Sequence, residues 1–295
     1  MKVLVIIISY NFEHWMDKCL GSLRQSTYPI HTIVIDNGSL DHTVQRIRKD
    51  YPEVRLIVNS KNLGFGSANN IGMKIAIEEK YDYVFLMNQD TWIEPQTIQI
   101  LVETSLTHPN YGILSPIHLT AKGDKLDSGF ADYSGYQQLE ELPLSPITSI
   151  PFINAAFWMI PIAVLEKIGG FSPLFFHNGE DIDFVNRLHF HGYDIGYVPA
   201  IAYHDREMRP VTKVIEYRNK KAYLLTVFAN INLPFLKAFV KAIGGGCKLI
   251  LTAIAQGLWK DTRQYTMVTG ELLASCFRIY KTRKTYQIQD KHFIK

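Results

Sequence analysis

Apolar and polar positions switch between two periods through the first hundred residues. Val3–Ser9 is a continuous, mostly β-branched apolar run, the pattern of a strand buried on both faces of a parallel sheet. Residues 14–24 predict a helix and residues 32–35 a second strand. A helix follows at 41–50, a strand at 54–58, a helix at 66–80 and a fourth strand at 83–87. Strand–helix repetition with short links predicts an α/β fold with a doubly wound, mostly parallel sheet flanked by helices. Residues 95–108 predict a helix and 111–119 a strand. Residues 120–149, rich in Gly, Ser, Pro and acidic side chains, predict a mobile insert or hairpin. A strand at 195–198 should end in a turn at Pro199. Beyond Asp205 the chain is helical for most of its length, with Gly244-Gly245-Gly246 as a break. The division expected is a catalytic domain over residues 1–205, in a nucleotide-binding half (1–93) and an acceptor half (94–205). A helical C-terminal extension over 206–295 completes it.

Composition narrows this picture. The 295 residues are 47% apolar and 20% charged, as in an ordinary folded protein. A net charge of +3 is too small to argue for nucleic acid. Lys and Arg are in surplus after Asp205, notably at residues 281–284, where they can meet anionic lipid or a phosphorylated substrate, or simply be solvated. Cys19, Cys247 and Cys276 are too few and too scattered for a disulfide framework or a zinc site, and fit a reducing compartment. The N-terminal apolar run is short and leads into polar Ser9-Tyr10-Asn11, so it predicts a strand and not a signal peptide. No uncharged apolar stretch reaches the length of a span. Residues 233–259 come nearest, but Lys237, Lys241 and Lys248 interrupt them, as in an interfacial helix pair or a pair packed on the catalytic domain.

Ligands of doubly wound sheets bind beyond the carboxyl ends of the strands, and the polar motifs sit there. Ser9-Tyr10-Asn11 and Asp36-Asn37-Gly38-Ser39 each follow a buried strand. The Asp36 carboxylate can accept from a base imide or a ribose hydroxyl, and Tyr10 can stack on the base. A turn or a helix cap would also account for Asp36 and Asn37. Residues 62–70 form a glycine-containing loop that opens a helix and suits a phosphate or base, although they match neither the Walker nor the Rossmann pattern. Asn88-Gln89-Asp90 ends the fourth strand, where a carboxylate can ligate Mg²⁺ or Mn²⁺ or cap the next helix. Glu180, Asp181 and Asp183 crowd three acids into four residues. Their mutual repulsion raises at least one pKa, as a general base requires, and a helix N-terminus would favour the same acids. Asp183 and Arg187 can pair on one helix face. His204 is a candidate third point of a metal site with Asp90.

In this order, VIIISYN, VIDNGSLD, NSKNLGFGSANNIG, FLMNQD, INAAFWMIP, GGFSPLFFHNGEDIDFVNRLHFHGY and VPAIAYH resemble the family 2 glycosyltransferases of GT-A fold. They are most similar to the bacterial rhamnosyltransferase-like branch that builds surface polysaccharides. The resemblance covers about residues 1–205. It implies that Ser9, Tyr10, Asn11 and Asp36 hold the base and ribose, and that Asn62, Gly64, Gly66 and Asn70 line the nucleotide pocket. It makes Asp90 the last acid of a DxD metal motif, with Asn88 in place of the first and still able to touch ribose or metal. His204 falls near metal and diphosphate, and Asp181 is the catalytic base with Glu180 beside it. Asn154 takes a position usually held by Gly on the acceptor side, where Trp158 and Asp183 also fall. The QxxRW of processive synthases is missing, which implies one transfer per encounter.

The function so implied is inverting, metal-dependent (Mg²⁺ or Mn²⁺), non-processive transfer from dTDP-rhamnose or a UDP-sugar to a glycan or lipid-linked acceptor. Arg206 and Arg209 can assist with diphosphate charge or with a phosphorylated acceptor, or can simply lie on the surface. Expected partners are the nucleotide-sugar, the acceptor, the inner-membrane surface and a second copy of the chain, with no nucleic acid. The expected location is cytoplasmic, peripheral on the inner face of the plasma membrane. The competing readings are a nucleotidyltransferase, whose Gly-rich basic loop after the first strand is missing here, and an inactive nucleotide-sugar-binding protein.

Overall fold

A computed structural model of the chain describes residues 1–143, 145–206 and 212–294. The elements run β1 (Val3–Ser9), α1 (Met16–Arg24), β2 (Ile30–Asp36), α2 (Thr43–Asp50), β3 (Arg55–Val58), α3 (Phe65–Glu78) and β4 (Tyr83–Asn88). Next come β5 (Thr91–Ile93), α4 (Thr97–Thr107), β6 (Tyr111–Thr120), α5 (Ser128–Ser134), β7 (Thr148–Ser149), β8 (Phe157–Pro161), α6 (Ile162–Ile168), α7 (Glu180–Phe190) and β9 (Asp194–His204). Four helices follow: α8 (Lys213–Ala229), α9 (Phe235–Ala255), α10 (Trp259–Ala274) and α11 (Cys276–Tyr286).

One sheet carries the strand order β3-β2-β1-β4-β8-β6-β9-β5, with β7 on β9. Its first four strands are parallel, and β8 then enters antiparallel to both β4 and β6. Strand residues alternate between two cores, as a sheet covered on both faces requires. Leu4 and Ile6 of β1 face the layer with Phe171, Phe184 and Leu188, while Val3, Val5 and Ile7 face the layer with Met16, Leu20 and Leu101. Register aligns the strand ends: Ser9 pairs with Asp36 and Ile8 with Asn88, so three polar motifs emerge side by side.

Three segments depart from the sequence expectation. Of the mobile insert or hairpin expected over residues 120–149, the described residues begin with a hairpin turn that pairs Leu119 antiparallel with Leu126, and the rest packs instead of hanging loose. The Asp127 carboxylate caps α5 by accepting from the backbone N–H of Gly129 and Phe130, and Phe130, Ala131 and Leu142 are buried in the main core. The strand expected to stop at Val198 continues to His204. A register shift between Ser115 and Ile117 against Tyr197 and Ile201 absorbs Pro199 as a bulge, which leaves its missing N–H without consequence. The glycine triplet does not break α9. A Cβ on Gly246 would lie 2.3 Å from Thr269 Oγ1 and one on Gly245 2.8 Å from Leu224 Cδ2, so their bare backbone lets α9 close on α10 and α8.

The C-terminal helices share a third core in which Leu174 and Phe175, from the loop before α7, meet Leu224, Leu225 and Phe228. The chain then returns to the sheet. Gly170 N donates to His292 O at 2.8 Å, Asp290 N donates to Lys167 O at 3.0 Å, and Ile294 is buried in the main core. α9 is long and apolar enough, by length and composition, to cross a membrane in spite of its lysines.

Candidate active site

The strand ends open into a cleft of about 650 Å³. Of the residues expected to bind nucleotide, Asn62, Gly64 and Asn88 line it, and Asp90 lies beside them. The Asp36 carboxylate is fully buried and already engaged. It accepts from Ser9 Oγ at 2.9 Å, from the N–H groups of Gly38 and Ser39, and from the Ser39 hydroxyl. Asn11, at φ +53°, accepts from Leu40 N and donates its own N–H to Ser39 Oγ. Ser9, Asn11 and Asp36 thus brace the rim behind Ile8 and Asn37, which line the cleft, while Tyr10 is 44% exposed and stands outside the lining.

Gln89 ties this rim to β4. Its Oε1 accepts from Tyr10 N at 2.8 Å and its Nε2 donates to Tyr10 O at 3.1 Å. In the glycine loop, Asn62 Oδ1 accepts from Gly64 N at 2.8 Å. Gly64 sits at φ +82°, and a Cβ there would lie 2.2 Å from the Phe176 carbonyl oxygen, so no other residue fits.

Two residues expected in the pocket lie behind it. Asn70 clasps the backbone of Phe171, accepting from its N–H at 2.7 Å and donating to its carbonyl at 2.8 Å. Gly66 packs beneath the same residue, 2.8 Å from the Phe171 Cβ by its own virtual Cβ. The acceptor-side expectation fails at two positions for the same reason. Trp158 is fully buried, stacked on Phe171 and donating to Ile153 O at 3.2 Å. Asp183 is 2% exposed and paired with buried Arg187 at 3.0 Å, and Arg187 also donates to Ile168 O and Gly170 O. Neither side chain can touch an acceptor. Asn154 remains half-buried, its side-chain oxygen without a hydrogen-bond partner.

Asp90 is reached from the far edge of the sheet. β5 pairs antiparallel with β9, setting Thr91 opposite His204. His204 Nε2 lies 3.5 Å from Asp90 Oδ2, and its Nδ1 lies 3.8 Å from Asp127 Oδ2. Asp127 was not visible as a site residue, because the insert that carries it reads as irregular. Burial alone would raise its carboxyl, but Arg206, donating at 3.1 and 3.2 Å, overrides this and holds it below the usual range. Arg206 is therefore fixed, whereas Arg209 lies outside the described residues. Among the described residues no set of three His, Cys, Asp or Glu side chains gathers as a ready-made metal site. Asp90 Oδ2 and His204 Nε2 face each other at 3.5 Å, and one carboxylate with one imidazole nitrogen fits a divalent ion that takes its other ligands from water and phosphate.

The acids at the start of α7 follow Asn178 at φ +69° and Gly179 at φ +88°. Burial raises Asp181 above the usual carboxylate range against the opposing N–H of Ile182. Glu180 is 6% exposed, its Oε2 lacks a hydrogen-bond partner, and burial together with the neighbouring Asp181 charge pushes it up to about 7. Tyr133 of α5 joins the group: burial, then the Asp181 charge, pushes its hydroxyl up to about 12. Folded Glu180 thus keeps its proton to higher pH than the unfolded chain, so its contribution to stability falls as pH rises from about 4.5 through about 7. Glu180→Gln should therefore be more stable than the unaltered chain at about pH 8 by up to about 3 kcal/mol, with the gap closing below about pH 4.5. Urea unfolding at both ends of that window checks it, and a gap independent of pH would refute the assignment.

The family model described as glycosyl transferase family 2 matches residues 4–169. The N-acetylglucosaminyl-diphospho-decaprenol L-rhamnosyltransferase of Mycobacterium tuberculosis is 25% identical over 231 residues, 66% of this chain and 73% of that protein. The low-salt glycan biosynthesis hexosyltransferase Agl10 of Haloferax volcanii is 25% identical over 199 residues, 65% of this chain and 63% of that protein. Among solved structures, a mannosyltransferase of Pyrobaculum calidifontis in complex with GDP-Man and Mn²⁺ aligns with a TM-score of 0.59 at 17% identity, covering 97% of this chain and 84% of that one. TarS of S. aureus (1–349) in complex with UDP-GlcNAc aligns with a TM-score of 0.55 at 16% identity, covering 97% and 89%. Another TarS chain is longer, and this chain spans 42% of it. At these identities the structural likeness concerns the fold, which is GT-A.

Proposed function

Because the chain belongs to glycosyl transferase family 2, we propose that it acts on nucleotide sugars and catalyses inverting, metal-dependent transfer of one sugar per encounter to a glycan or lipid-linked acceptor. The observation that carries this reading is the convergence of Asn88 and Asp90 at the end of β4 with His204 across the β5–β9 pair, on the cleft bounded by the loop that leads into Asp181. The donor nucleotide occupies the cleft between the Tyr10 rim and the Gly64 loop. Asp90 and His204 would hold Mg²⁺ or Mn²⁺, which when bound supplies positive charge to the diphosphate.

Asp181 takes the proton from an acceptor hydroxyl. The acceptor oxygen attacks the anomeric carbon from the face opposite the diphosphate, the glycosidic C–O bond to phosphate breaks, and its electron pair leaves with the diphosphate. A raised pKa suits Asp181 to this exchange, since the base must hold a proton transiently near neutrality. Tyr133, whose hydroxyl feels the Asp181 charge, lies near it, and the half-buried Asn154 is the remaining acceptor-side candidate.

dTDP-rhamnose and UDP-sugars are the donors we favour. The M. tuberculosis relative is a rhamnosyltransferase by name and acts on a lipid-linked sugar. We place the enzyme in the cytoplasm against the inner face of the plasma membrane. Exposed Leu236, Val240, Leu251 and Trp259 alternate there with exposed Lys237, Lys241, Lys248 and Lys260, which suits an anionic surface. Thermal unfolding with UDP-, dTDP- and GDP-sugars, with and without Mn²⁺, tests the donor reading. At one hundred times the dissociation constant a true donor should stabilise the chain by about 2.7 kcal/mol, and only with metal present. No shift with any of them would sink the proposal.

A further inference from the structure

The charge of the donor cleft comes from a helix outside the matched family region. Asp90 is the one carboxylate among the described residues that line the cleft, while α8 contributes two cations, Arg218 and Lys221, spaced to share one helix face. Lys221 is already committed to Glu271 of α10. Arg218 is exposed, and among the described residues it forms no ion pair. Its charge reaches into the cleft: His177 is held below its usual pKa by burial and by Arg218.

α8 is also held firmly in place over the cleft. Asn178 Nδ2 donates to Asn219 Oδ1 at 2.8 Å, and Leu224 and Leu225 pack with Leu174 and Phe175. Arg218 therefore projects from a helix fastened to the loop that leads into the acids of α7.

We propose that Arg218 receives the donor diphosphate and neutralises the leaving group, an assignment that rests on the nucleotide-sugar reading above. As the anomeric C–O bond breaks, its electron pair and a negative charge pass to the phosphate oxygen. The guanidinium N–H groups donate to the diphosphate in its forked geometry and lose no proton. A cation carried on a fastened helix across the cleft from Asp90 stabilises charge where it develops.

The test is calorimetry with UDP, dTDP and GDP, and with the matching monophosphates, in the presence of Mn²⁺. For the diphosphate that the unaltered chain binds, Arg218→Gln should weaken binding roughly 10- to 100-fold. The preference for diphosphate over monophosphate should shrink with it. Arg218→Lys should recover part of the loss, and Lys220→Gln, an exposed charge outside the cleft lining, should stay within about twofold. An unchanged diphosphate preference in Arg218→Gln overturns the assignment and leaves the donor reading standing. An equal loss in Lys220→Gln overturns it too, since net charge would then explain the effect. If the unaltered chain binds none of the three diphosphates, the donor reading fails and the Arg218 assignment fails with it.

Discussion

Asp181→Asn should lower the transfer rate by about 10² to 10⁴-fold while nucleotide-diphosphate affinity stays within about twofold. The substitution is isosteric. The amide oxygen can still accept from Ile182 N, the bond that Asp181 Oδ1 makes at 2.8 Å, so the start of α7 keeps its shape. Only the capacity to take a proton is lost. A second readout separates chemistry from structural damage. The Asp181 charge helps push Glu180 up, so the variant should show a smaller pH dependence of stability between about pH 4.5 and 7. Single-turnover rates and urea unfolding on the same preparation measure both. Turnover within tenfold of the unaltered chain would remove Asp181 from the base role, and the same substitution at Glu180 would then become the decisive one.

Asp90→Asn should weaken metal-dependent binding of a nucleoside diphosphate by about 10³-fold, the several kcal/mol expected when a charged ligand leaves a metal–phosphate site. Titration with UDP, dTDP or GDP in Mn²⁺ and then in EDTA is the measurement. Stability should change little, because the structural bond at this position is made by the backbone: Asp205 N donates to Asp90 O at 2.8 Å, and the Asp90 side chain is 27% exposed. Affinity in Mn²⁺ equal to that of the unaltered chain would exclude Asp90 as a ligand. The two variants fail differently, one in turnover and one in binding, so together they separate the base from the charge-holding half of the site.

The parallel half of the sheet was legible because its strands are buried on both faces and write themselves as unbroken apolar runs, as in Val3–Ser9 and Tyr83–Asn88. What lay beyond β4 was harder. β5 is three residues long and exists only because β9 runs on past Pro199 to meet it, and no local pattern announces a bulge that depends on a partner strand. The same blindness hid Asp127 and Tyr133, which belong to a short helix inside a stretch with the composition of a loop. Motif order placed Asp90, Asn88, Asn62 and Gly64 on the cleft. It could not tell lining from backing: Asn70, Gly66, Trp158 and Asp183 belong to the same motifs but face the core. Spacing foresaw the Asp183–Arg187 pair, and its burial at 1–2% exposure is what makes it structural. Arg218 lies 128 residues from Asp90 along the chain, and local periodicity does not encode which distant elements share a cleft.

The clasp between Asn70 and Phe171 has a mechanical consequence. Arg187 grips the carbonyls of Ile168 and Gly170 on one side of Phe171, and Asn70 holds both backbone groups of Phe171 itself. The helix that carries the acids is thereby bolted to the helix that follows the glycine loop, and the bolt runs behind the chemistry. A jaw that swings on a hinge has no place to bend there. On the donor reading proposed above, these two helices move as one piece, and the dwell time of spent nucleotide rests with the exposed side chains of Tyr10 and Arg218.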